Sequence, residues 1–140
     1  MKTAVIYFTK TGHSKRIADA VAEALNVKSA NISEDPDLTE VDLLFIVGGI
    51  YGSKSDPKMI GYVSKIDGKM VRKAALVTSC ASNRRKQDMV RETLAKNGIE
   101  VIPDEFVCKG RFLFLRPGHP DKTDISNAAA FAKKHAGIGG

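Results

Sequence analysis

Apolar residues along this chain follow two periods. Short continuous runs alternate with stretches in which apolar side chains recur every three or four positions. Ala4-Val5-Ile6-Tyr7-Phe8 is the first run and reads as a strand covered on both faces. From His13 to Leu25, the residues Ile17, Ala18, Val21, Ala22 and Leu25 line one side of a helix. Val27 to Ile32 alternates and suits an edge strand. Leu43–Val47 is a second buried run, and it ends at Gly48-Gly49. Asp56-Pro57 predicts a capped helix start, with Met59, Val63 and Ile66 as its inner face. Ala74–Val77 is a third buried strand. Val90 and Leu94 mark a helix that stops at Asn97-Gly98. Ile99–Val107 is a strand whose Pro103 points to a sheet edge or a bulge. Ile125, Ala128, Ala129 and Ala132 form the last helical face, with Asp121 or Thr123 as its cap.

Strands alternating with helices over short connections imply a parallel sheet covered on both sides. The expected fold is α/β: one doubly wound domain over residues 1–140, with five parallel strands in the order 2-1-3-4-5. The connection from the second strand to the third carries no clear helical period. In such sheets the ligand site lies outside the carboxyl ends of the strands, where the winding reverses. The loops after Phe8, Val47 and Val77 are therefore the candidates.

Composition narrows the class. Of 140 residues, 43% are hydrophobic and 27% charged, as in ordinary globular domains. No apolar run reaches the roughly 20 residues that span a bilayer. The first apolar run is also too short for a secretory signal. A cytoplasmic protein without a membrane role is expected. Cys80 and Cys108 form no CxxC pattern and read as free thiols. His13, His119 and His135 show no metal-ligand spacing, so no metal site is expected. The net charge is +6, but no nucleic-acid motif accompanies it, so an anionic ligand or an acidic partner is the better reading.

The first candidate loop reads Thr9-Lys10-Thr11-Gly12-His13-Ser14 and opens directly into the first helix. Three hydroxyls, one glycine and a helix N-terminus suit a phosphate that is held rather than cleaved. Neither a Walker A loop nor GxGxxG is present. Ile6 to Ser14, followed by Ile17-Ala18, resembles the flavodoxin signature of strand, T/S-x-T-G-x-T/S and helix. The resemblance implies FMN as cofactor. Thr9, Thr11, Gly12 and Ser14 would then hold its phosphate, with main-chain help from Lys10 and His13.

The other two loops extend the resemblance. In Gly49-Ile50-Tyr51-Gly52-Ser53, Tyr51 matches the residue that covers the flavin ring. Gly52 matches the glycine whose peptide can flip toward flavin N5 on reduction, since glycine allows either sign of φ. Ser53 stands where many flavodoxins carry an acid. Ser79, Cys80 and Ala81 would meet the pyrimidine edge and the ribityl chain. A phosphatase reading of Cys80 fails on spacing: Cys-x5-Arg needs arginine at the sixth position after it, which is Lys86. The Cys108 segment resembles a structural feature of short flavodoxin-like domains.

Lys10, Lys15, Arg16, Lys54, Lys58, Arg84, Arg85, Lys86, Lys109 and Arg111 all follow strand ends and suggest a cationic rim around the flavin. Such a rim favours a redox partner protein with an acidic docking surface. The expected function is electron transfer with no catalytic side chain. The alternative is an FMN-dependent reductase or oxidase acting on a quinone, a tetrapyrrole or an NAD(P)H-linked substrate.

Overall fold

The computed structural model describes residues 1–8, 13–51, 54–55, 57–80, 87–108 and 122–137. The elements run β1 (Thr3–Tyr7), α1 (His13–Leu25), β2 (Ser29–Asn31), β3 (Val41–Tyr51), β4 (Lys54–Ser55), α2 (Pro57–Val63), β5 (Val71–Cys80), α3 (Asp88–Lys96), β6 (Glu100–Cys108) and α4 (Lys122–Ala136). The sheet order is β2-β1-β3-β5-β6, with β4 paired to β3 alone. With β4 set aside, this is the expected five-stranded 2-1-3-4-5 order, and all four of its pairings are parallel.

Alternation along the strands divides the core into two layers. Val5, Tyr7, Phe45, Val47, Ala75 and Val77 meet Ile17 and Val21 of α1 and Ala128 and Ala132 of α4. Ile6, Leu44, Ile46, Ala74 and Leu76 meet Met59 and Val63 of α2 and Val90 and Leu94 of α3. The three central strands are thus apolar on both faces, which is why they read as unbroken runs.

The crossover from β2 to β3 contains a short 3-10 turn, Ile32–Glu34, in place of a helix. Asn31 caps it: its side chain accepts from the Ser33 amide while Glu34 accepts from the Asn31 amide. Ile32 and Leu38 fill the α2 layer from this segment. The Tyr62 hydroxyl donates to the Pro36 carbonyl at 2.8 Å and ties α2 to the crossover. Burial, with Asp35 and Asp37 nearby, pushes the Tyr62 phenol up to about 12. A phenol whose folded pKa lies above its unfolded value near 10 contributes no loss below that pH, and stability falls as pH rises from 10 to 12. Tyr62→Phe is expected to cost about 1 kcal/mol at neutral pH, the worth of one hydrogen bond. It should also flatten the alkaline fall-off, as urea titrations at pH 8 to 11 would show.

β6 lies at the sheet edge and its register with β5 shifts. Ala74 pairs with Val101, but Leu76 pairs with Glu105, so β6 gains two residues around Pro103. A two-residue excess keeps the alternation intact: Val101 packs on the α2 and α3 layer, while Ile102 and Phe106 pack on the other. Pro103 is therefore both an edge and a bulge residue. Helix α3 ends where expected, with Asn97 as C-cap and Gly98 at φ 82°, a conformation that suits glycine. Helix α4 begins at Lys122, so Thr123 lies inside its first turn rather than before it. The cap candidates Asp56 and Asp121 lie outside the described residues.

Candidate functional site

The carboxyl ends of the central strands are staggered. β1 stops at Tyr7, opposite Val47, and the Phe8 amide makes one further bond to the Val47 carbonyl at 3.3 Å. β3 and β5 continue together for three more pairs: Gly48 with Thr78, Gly49 with Ser79, and Ile50 with Cys80. Residues predicted to lie in two separate loops are thus adjacent in the sheet. Above the end of β1, the vacated edge of β3 is taken by β4, with Ile50 against Ser55 and Tyr51 against Lys54. Tyr51 therefore belongs to the stem of a hairpin. The neighbouring amino end of α2 places Lys58 over the Phe8 ring, 5.5 Å from its centre.

Helix α1 starts at His13, five residues after Phe8, and has no acidic residue in its first turn. No carboxylate of that turn therefore offsets the helix's positive end. Ser14 lies in that turn and is 1% exposed. Lys15, in the same turn, is engaged elsewhere. Its ammonium meets Asp19 at 2.9 Å, and Asp19 also accepts the Ser29 hydroxyl at 2.6 Å. That contact raises the Lys15 pKa. Burial opposes ionisation of Asp19, yet the bonds from Ser29 and Lys15 outweigh it and hold the carboxyl below its usual range. The cationic rim inferred from the sequence is thus partly neutralised at Lys15.

His13 and Ser14 open α1, and Gly49, Ile50, Tyr51, Ser79 and Cys80 lie at the carboxyl ends of β3 and β5. Thr9, Lys10, Thr11, Gly12, Gly52, Ser53 and Ala81 lie outside the described residues, as do the rim cations Arg84, Arg85, Lys86, Lys109 and Arg111. Among the described residues, no cluster of His, Cys, Asp or Glu could hold a metal. No described helix is long and apolar enough to cross a membrane.

Three residues near the site escape the motif reading. Thr78 and Gln87 are fully buried, and so is the Glu105 side chain. The Gln87 amide reaches Val77 O and Thr78 Oγ1, both at 3.1 Å, and its Oε1 lies against Gly48. A Cβ at Gly48 would stand 2.7 Å from that oxygen, so the glycine makes room for Gln87. Glu105 directly precedes the apolar pair Phe106-Val107 in β6, but Glu100 and Asp104 in the same strand leave the sequence without a clear sign that this acid is the buried one.

Known structures share this fold. Flavodoxin 2 from Bacillus cereus superposes with a TM-score of 0.73 at 19% identity, over 97% of this chain and 98% of that one. Rubredoxin:oxygen oxidoreductase from the anaerobe Desulfovibrio gigas gives 0.74 at 14% identity, over 94% of this chain and 34% of that one. An NAD(P)H:quinone oxidoreductase from Methanothermobacter marburgensis gives 0.65 at 11% identity, covering 95% and 94% of the two chains. At these identities the likeness is one of fold. No curated protein matches the sequence. A family model described as flavodoxin domain matches residues 4–135, nearly the whole chain, and the protein belongs to the flavodoxin family.

Proposed function

We propose that this chain binds FMN at the carboxyl edge of its sheet and carries electrons to a partner oxidoreductase. The observation that supports it most is the junction at the winding switch point. There, the chain passes from β1 through the hydroxyl-rich 9–14 sequence into α1, whose first turn carries no acid, and β3 and β5 continue paired past the end of β1. Thr9, Thr11, Gly12 and Ser14 would hold the phosphate, with the amides of Lys10 and His13. Tyr51 would cover one face of the ring, beside Gly49 and Ile50. Gly52 and Ser53 would meet its N5 edge, and Ser79, Cys80 and Ala81 its pyrimidine edge. FMN supplies the one- and two-electron chemistry when bound, and the protein's residues bind, orient and shield it. A net charge of +6 suits a partner with an acidic docking surface, and the setting we infer is the cytoplasm.

Titration of the flavin-free protein tests this reading. FMN fluorescence should be quenched on binding, with an affinity well above that for riboflavin. Thr11→Ala removes one hydrogen bond to a charged group, worth about 1.5–3 kcal/mol. FMN affinity should therefore fall roughly tenfold or more while riboflavin affinity holds. No quenching by FMN would defeat the proposal. Equal affinity for the two flavins would defeat the phosphate assignment alone.

The likeness to the quinone oxidoreductase supports a second reading, direct reduction by NAD(P)H. Anaerobic bleaching of the bound flavin by NAD(P)H, with no other protein present, would favour it over the carrier.

A further inference from the structure

The most enclosed polar cluster in the described structure lies behind the candidate site and outside the residues assigned to it. Glu105 sits on β6 just past the bulge, and its side chain has no exposure to solvent. One of its oxygens, Oε2, accepts two bonds: from the Thr78 hydroxyl at 2.6 Å and from the Gln87 backbone amide at 2.8 Å. The Gln87 side-chain amide in turn donates to the same Thr78 hydroxyl at 3.1 Å. Thr78, Gln87 and Glu105 thus form a closed ring of hydrogen bonds in which the hydroxyl both accepts and donates. In a dry setting such bonds reinforce one another. The other carboxylate oxygen, Oε1, accepts from Arg91 at 3.1 Å.

The ring joins two points that are nine positions apart in sequence and on either side of one segment. Thr78 lies on β5 two residues before its end at Cys80, and Gln87 is the N-cap of α3. Gln87 has no side-chain cap bond of its own. Instead Glu105 meets its amide from another strand, placing a carboxylate at the positive end of α3. Gln87 also donates to the Val77 carbonyl at 3.1 Å and approaches the Ile46 carbonyl at 3.4 Å, so it bridges β5 and β3 just below the Gly48–Thr78 pair. The depth of the bulge decides whether Glu105 reaches this point. Were the Ala74–Val101 register continued without the two added residues, Glu105 would pair with Thr78, two positions beyond its present partner Leu76.

We propose that Thr78, Gln87 and Glu105 act as a buried clamp that ties the carboxyl end of β5 to the start of α3 and so fixes Ser79 and Cys80 where they would meet the flavin ring. They are positioning residues, since none is placed against the cofactor. The purpose of the clamp rests on the FMN reading above, but its existence does not. Because it acts on the ring side, its loss weakens FMN and riboflavin equally, whereas a phosphate-loop variant weakens FMN alone.

The test uses the full-length chain. Thr78→Val keeps the shape and removes the hydroxyl, Glu105→Gln keeps the shape and removes the charge, and Thr78→Ser keeps the hydroxyl. In flavin-free protein, amide hydrogen exchange at Ser79, Cys80 and Gln87 should quicken about tenfold in the valine and glutamine variants, the order expected for one lost bond to a charged group, and stay near wild type in the serine variant. Exchange in β1 and α1 should not change. Unchanged exchange at all three in both disrupted variants would overturn the clamp. With flavin, both disrupted variants should lose about fivefold in affinity for FMN and for riboflavin alike. A loss confined to FMN would overturn the link to the ring. Should the wild type bind no flavin while the exchange pattern appears, the clamp stands and the FMN reading falls.

Discussion

Replacing Phe45 with alanine is expected to destabilise the fold by about 3–5 kcal/mol, the range for removing a buried aromatic side chain. Phe45 is central on β3, which is itself the central strand, and it has no exposure to solvent. Its ring meets the Phe131 ring of α4 edge-on at 6.5 Å. Val5 and Ala75 flank it within the same layer, held in fixed register by β1 and β5. Strands paired on both sides cannot close on a cavity, so the loss should lie in the upper part of the range. Helix α4 should respond first, because its small Ala128 and Ala132 give it little other anchorage on this face. Urea unfolding should show a large fall in midpoint, and proteolysis should cut α4 before the rest. Phe131→Ala should cost less, since that ring is only partly buried. A Phe45→Ala loss below about 2 kcal/mol would mean that the layer repacks freely, against the close packing expected of a core.

Much of this fold can be read in the sequence because its signals are local. Leu43–Val47 and Ala74–Val77 are buried on both faces, and continuous apolar runs say so. Pro57 opens α2 and Asn97-Gly98 closes α3, because caps are set by one or two residues. The features that stay hidden depend on partners distant in sequence. Lys54-Ser55 is too short to carry a strand pattern and becomes β4 only because β1 ends early and leaves an edge of β3 open. The β2–β3 crossover lacks a helical period because it is an extended segment with one 3-10 turn, pinned by Tyr62 from α2. Lys15 looked like part of a cationic rim, although Asp19 stands four residues on, the spacing at which helical side chains meet. The site divides in the same way. The Thr9–Ser14 motif is local and legible. The adjacency of Gly49 with Ser79, and of Ile50 with Cys80, follows once the strand order is known. The bond from Thr78 to Glu105 spans 27 positions and leaves no periodic trace.

Arg91→Met is expected to cost about 3 kcal/mol, the lower end of the range for stripping one partner from a buried ion pair. The two partners are unequal. Arg91 keeps 28% of its side chain exposed, whereas Glu105 has none. Without the guanidinium, the Glu105 charge stays buried with only the Thr78 hydroxyl and the Gln87 amide to solvate it. The Ile102 carbonyl in the bulge also loses its 3.0 Å bond from Arg91. Glu105→Gln is the opposite case, because Arg91 can turn its head to water, so the loss should be nearer about 1.5 kcal/mol. Combining the two substitutions removes the stranded charge. The double variant should therefore be more stable than the sum of the single losses implies, and a double-mutant cycle in urea measures the difference. Additive losses, or a smaller loss for Arg91→Met than for Glu105→Gln, would show that water reaches Glu105 from the side of β6. The carboxylate would then be an ordinary surface acid, with no hold on Thr78 or on the start of α3.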